Sequence, residues 1–143
     1  MRSRILSDLL RPSRVVHAHC DLPCGVYDPA QARIEAESVA KIQEKYQDAD
    51  NQKKPSETAE EFKTRCIAIK ENRADLVKEH LWVLWTDYFK PEHVETYPQL
   101  HEIFWNATKE AGNAKKSTDP AQGQKLLDLI GEIDKIFWET KKS

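Results

Sequence analysis

Four side chains that bind soft metals fall within the eight residues His17 to Cys24, in the stretch VVHAHCDLPCGVYDP. Cys20 and Cys24 are separated by Asp21-Leu22-Pro23, and His19 directly precedes Cys20. Zinc takes cysteine pairs with two to four intervening residues, but a closed zinc site needs two further ligands. No second Cys pair or His pair at a suitable spacing exists in the chain. A dithiol redox pair usually has two intervening residues rather than three, and a haem-attachment CxxCH is absent. Two exposed thiols in a flexible arm would oxidise readily, which disfavours that reading. Pro23 and Gly25 sharpen the case. An X-Pro bond allows a tight turn and glycine reaches backbone angles closed to other residues, so the segment can hook both sulfurs toward one point. Thiolates with nitrogen donors favour Zn, Cu or Ni, and a planar set of two sulfurs and two nitrogens favours Cu(II) or Ni(II) over zinc.

Such a hook needs a scaffold. Asp28-Pro29 reads as a helix start, Asp as cap and Pro as first helical residue. The helix should run to about Gln47, with Ile34, Val39, Ile42 and Tyr46 on one face. Glu35 falls inside that stripe, an odd place for a carboxylate. QDADNQKKP (47–55) reads as a loop, and Thr58 with Glu61 as a capping box for a long second helix. Its stripe is Phe62, Cys66, Ile69, Arg73, Leu76/Val77, His80 and Leu84, with Arg73 as misplaced as Glu35. Periodicity alone leaves open whether these two form a structural buried ion pair or serve a site. LWVLW (81–85) is apolar all round, which predicts burial on more than one side. KPEHVETYP is a connection to a third helix bearing Leu100, Ile103, Phe104 and Ala107. GNAKKSTDP breaks the pattern, and Asp119-Pro120 opens a fourth helix with Leu126, Leu127, Ile130, Ile133 and Phe137. The prediction is an all-α, up-down four-helix bundle. Cys66 and His80 read as core residues, and His93 and His101 cluster with no other ligand type.

Composition narrows the class. Of the 143 residues, 32% are charged, 39% are hydrophobic and four are glycine, which suits one helical domain and not a sandwich or barrel. No apolar run approaches the roughly 20 residues that span a bilayer. A net charge of −2 gives no nucleic-acid footprint. Residues 1–18 carry four arginines against Asp8, a leader of +3 that leaves −5 for residues 19–143. Its apolar residues come only in twos, short of the about 7–15 a secretory signal needs, which leaves a short propeptide, a disordered basic arm or a weak targeting segment open and a cytoplasmic location expected. Three cysteines without an export signal suggest thiols, a metal site or a redox pair rather than a disulfide framework.

HCDLPCGVYDPAQARIEAESV strongly resembles the amino-terminal hook of the nickel-containing superoxide dismutases. The likeness continues through LWTDYFKP and IDKIFWETKK and covers essentially everything from His19 onward. The resemblance implies a precursor cut between Ala18 and His19 by a processing peptidase, with a hook at 19–27 and a single domain at 19–143. It implies one nickel ion per subunit, held by the α-amine and imidazole of His19, the backbone nitrogen of Cys20, and the thiolates of Cys20 and Cys24. The implied reaction is disproportionation of superoxide to oxygen and hydrogen peroxide through Ni(II) and Ni(III). It places Tyr27 as the tyrosine closing the hook, Asp21 and Pro23 as residues shaping it, and Glu35, paired with Arg73, as the group holding the imidazole. Tyr88 and Lys90 match positions near the site, where a lysine helps attract the anionic substrate. The family assembles as a homohexamer, and LWVLW independently favours oligomer contacts. The rivals are a non-catalytic nickel or copper carrier, whose hook only chelates, and a helical interaction module with an incidental dithiol.

Overall fold

The computed structural model describes residues 25–142, and every regular element among them is helical. Local signals set the helix starts. The Asp28 carboxylate accepts a 2.8 Å hydrogen bond from the Ala30 N–H and opens α1 (Ala30–Gln47). A short α2 (Ala49–Gln52) lies in the segment expected to be loop. The Thr58–Glu61 capping box opens α3 (Ala59–Val83), which continues into a π turn at Leu84–Tyr88. The connection then forms a short α4 (Pro91–Thr96), where the sequence pattern suggests irregular chain. α5 (Leu100–Lys116) follows, and α6 (Pro120–Thr140) is capped by Asp119, which accepts from the Ala121 N–H at 3.0 Å.

α1 and α5 each pack against both α3 and α6, which makes a four-membered ring. Glu35 meets Arg73 while Lys63 sits over the Tyr46 ring, so α1 and α3 run antiparallel. Trp85 packs on Phe104 while Lys70 reaches the Ala114 carbonyl, so α3 and α5 do too. Three residues join α5 to α6. The predicted up-down four-helix bundle is the observed fold. One end therefore gathers the start of α1, the end of α3, the start of α5 and the end of α6.

Phe137, Leu81, Leu100, Leu126, Ile130 and Ile133 are fully buried. Each such side chain contributes about 1.5–3 kcal/mol by leaving water. α1 is different: its buried face is Ala32, Ala36, Val39, Ala40 and Gln43. The face expected for α1 is rotated, since Ile34 is 53% exposed; alanines take the inner positions because they let α1 approach its neighbours closely. Ile69 is likewise 47% exposed, and Lys70 is buried beside it. Lys70 is held because its ammonium donates to the Ala114 and Lys115 carbonyls at the open C-terminal end of α5. Gln43 donates to the Ala114 and Ser117 carbonyls at 3.3 and 3.2 Å, completing that cap from another helix. Burial pushes the Lys70 ammonium below its ordinary value. Two other expectations shift. GNAKK is the last turn of α5 rather than a break. LWVLW is one-sided, with Leu81 and Leu84 buried but Trp82 52% exposed.

Candidate metal centre

The expected ligands His19, Cys20 and Cys24, and the hook-shaping Asp21 and Pro23, lie outside the described residues. The described chain begins at Gly25, directly after the second of the two cysteines. Gly25 has φ +69°, a left-handed angle that L side chains rarely adopt, so this position needs glycine. The chain then passes the exposed Val26 without regular structure, and Tyr27 packs partly buried against the core ahead of the buried Pro29.

Tyr27 packs its ring against Tyr88 at 5.7 Å between centroids. Tyr88 is placed by the π turn. The Phe89 N–H donates to the Leu84 carbonyl at 3.1 Å, five residues back, and the additional residue rotates the downstream chain relative to a continuous α-helix. Tyr88 thereby reaches Phe137 of α6 at 4.4 Å, with Phe89 and His93 around it at 5.0 and 5.7 Å. Lys141 holds its ammonium 4.8 Å above the Tyr88 ring, a cation–π contact.

The second pair is electrostatic. One Arg73 nitrogen, Nη1, donates to both Glu35 oxygens, at 3.2 and 3.0 Å. The Glu35 side chain is 15% exposed and that of Arg73 41%, so the carboxylate is the enclosed partner. A carboxylate offers about four acceptor sites, and Arg73 leaves room on Glu35 for another donor. Lys90 stands outside both pairs: it is exposed, with Nζ 3.9 Å from the Glu92 carboxylate.

The remaining candidates behave as structural residues. Cys66 is buried, and burial pushes its thiol above the ordinary value, which makes it a core thiol. His80 is half-buried rather than in the core. His93 Nδ1 accepts from the Lys90 N–H at 3.2 Å, and His101 lies beside Trp85 at 5.6 Å. Sequence reasoning read Phe137 only as a core residue of the fourth helix, and it missed Thr140 and Lys141 around Tyr88. All three lie in IDKIFWETKK, a segment quoted for likeness without a role at the site.

The donor chemistry fits nickel: two thiols and an imidazole within six residues are soft and borderline ligands. Among the described residues, no group of three or more His, Cys, Asp or Glu side chains offers a competing centre. No helix there is long and apolar enough to cross a membrane.

Comparison with known proteins agrees. Residues 14–141 match the family described as nickel-containing superoxide dismutase. Superoxide dismutase [Ni] of Streptomyces seoulensis is 59% identical over 97% of this chain and all of its own length; that of Streptomyces coelicolor is 57% identical over the same shares. A native nickel superoxide dismutase structure is 59% identical with a TM-score of 0.77, covering 87% of this chain and 100% of its own. A structure with its nickel ligation in the oxidised state is 61% identical over the same shares, with a TM-score of 0.79.

Proposed function

This chain belongs to the nickel-containing superoxide dismutase family, and from that premise we infer how its own residues carry the reaction. It is an oxidoreductase that disproportionates superoxide to oxygen and hydrogen peroxide, with nickel as cofactor. The family sets aside the non-catalytic carrier and the incidental dithiol. The nickel, when bound, supplies a one-electron redox couple that no side chain here provides.

We propose that His19, Cys20 and Cys24 hold it, through the α-amine and imidazole of His19, the backbone nitrogen of Cys20 and both thiolates. The α-amine exists only after the Ala18–His19 bond is cut. With Ala18 attached, that nitrogen is an amide whose lone pair is delocalised into the carbonyl. Residues 1–18 are accordingly a leader removed by a peptidase, and residues 19–143 are the working chain. The solved relatives support this division: the whole of each accounts for 87% of this chain, the share that 125 of 143 residues make up.

Glu35 accepts the free N–H of the His19 imidazole while Arg73 holds its carboxylate in place, which fixes ring orientation and tautomer. Asp21 and Pro23 shape the hook. Tyr27, backed by Tyr88, closes the open face, which matters because thiolates oxidise readily and product peroxide must not linger at sulfur. Lys90 draws the anionic substrate. The enzyme works as a cytoplasmic homohexamer with one nickel per subunit; Trp82 and Trp105, 52% and 58% exposed, give the bundle apolar surface for such contacts.

What supports the reading is the run of His19, Cys20 and Cys24 just ahead of Tyr27 in the sequence, with Tyr27 packed on Tyr88 and the enclosed Glu35 carboxylate held by Arg73. The test is to cleave before His19, load nickel, and measure superoxide removal beside the uncut chain. The uncut chain should be inactive. Equal activity in both would overturn the amine-ligand role.

A further inference from the structure

Tyr88 brings two groups to the hook end, a ring and a hydroxyl. The ring faces Tyr27, and the hydroxyl oxygen lies 2.7 Å from Oγ1 of Thr140 in the last turn of α6. That distance does not say which oxygen donates, but the next bond in the chain does. Thr140 Oγ1 donates to the Phe137 carbonyl at 2.7 Å. A hydroxyl has one proton, so with that proton on Phe137 the Thr140 oxygen can only accept from Tyr88. The hydrogen bonds therefore run one way, from the Tyr88 phenol through Thr140 to the α6 backbone.

We propose that Thr140 is a positioning residue for the dismutation: by taking the phenol proton of Tyr88 it fixes that ring behind Tyr27 and leaves Tyr88 able only to accept hydrogen bonds from the substrate side. This rests on the reading of Tyr27 as the residue that closes the hook. The same turn of α6 grips its neighbours at two more points. Glu139 hydrogen-bonds the Tyr97 phenol, which burial and that carboxylate push above its ordinary value. Lys141 covers the outer face of the Tyr88 ring. Superoxide, an anion, is stabilised by donors; with the Tyr88 proton committed to α6, donation falls to other groups at this end.

Thr140→Val removes the hydroxyl at nearly constant shape, and Thr140→Ser keeps it. In metal-free protein with ¹³Cζ-labelled tyrosine, the Tyr88 signal, assigned by its loss in Tyr88→Phe, should move in Thr140→Val and hold in Thr140→Ser. In nickel-loaded protein, kcat/KM should fall about three- to tenfold in Thr140→Val, the scale of one lost hydrogen bond, with unchanged nickel content and recovery in Thr140→Ser. The double variant Thr140→Val/Tyr88→Phe should lose no more than Tyr88→Phe alone. An unmoved Tyr88 signal, a moved signal with unchanged kcat/KM, or losses that multiply in the double variant would overturn the proposal. Failure of the underlying reading looks different: Tyr27→Ala would keep full turnover while the Tyr88 signal still answered to Thr140.

Discussion

Among the described residues Arg73 holds Glu35, whose carboxylate has acceptor capacity to spare, and that asymmetry decides what its loss should do. In Glu35→Ala, the Arg73 side chain, already 41% exposed, can turn to water, so the bundle should keep its helix content. On the proposed role of Glu35, the His19 imidazole would lose its acceptor. Turnover is expected to fall about ten- to a hundredfold at full nickel loading, the usual scale for a partner of a metal ligand. Unchanged kinetics would remove Glu35 from the mechanism. This pair was legible in the sequence because a charge on an apolar stripe is conspicuous, and Glu35 and Arg73 each sat on one. Thr140 was not legible. Its hydroxyl bonds to its own helix are ordinary, and Tyr88 lies 52 residues away along the chain.

At Gly123, α6 comes close against α1. A Cβ added at Gly123 would lie 2.4 Å from Gln43 Oε1, 2.7 Å from the Ala40 Cα and 2.8 Å from its Cβ. Alanine favours a helix over glycine by about 1 kcal/mol, whereas overpacking costs about 1–3 kcal/mol, and here a backbone atom must give way. Gly123→Ala should therefore lower the urea midpoint, while Gly131→Ala, which meets nothing within 4 Å, should raise it. A Gly123→Ala midpoint at or above that of the parent would refute the close approach. Helix starts were readable at Asp28, Thr58 and Asp119 because capping is local chemistry. Helix faces were read less well. The pattern follows large apolar residues, and α1 turns Ala32 and Ala36 inward while Ile34 faces out. Lys70 escaped notice for a related reason: its partners are carbonyls of another helix, which no spacing announces.

The charge of the molecule runs against its substrate: −2 for the full chain and −5 for residues 19–143. Capture of an anion then depends on local cations, and Lys90 and Lys141 both belong to the hook end. At about 0.1 M salt the screening length is roughly 10 Å, so their attraction should fade with added salt. kcat/KM should drop at least about twofold between roughly 0.01 and 0.2 M salt, and Lys90→Gln should flatten that slope. A rate that climbs with salt would mean that net charge rules instead. The π turn carries a lesson for comparing genomes. Deleting one residue within Leu84–Tyr88 would leave HCDLPCGVY untouched and overall identity nearly unchanged, yet swing Tyr88 by about 100° away from Phe137 and Thr140. Homologues that keep the hook but differ in length between Leu81 and Phe89 therefore need checking before the closure proposed for Tyr27 and Tyr88 is extended to them.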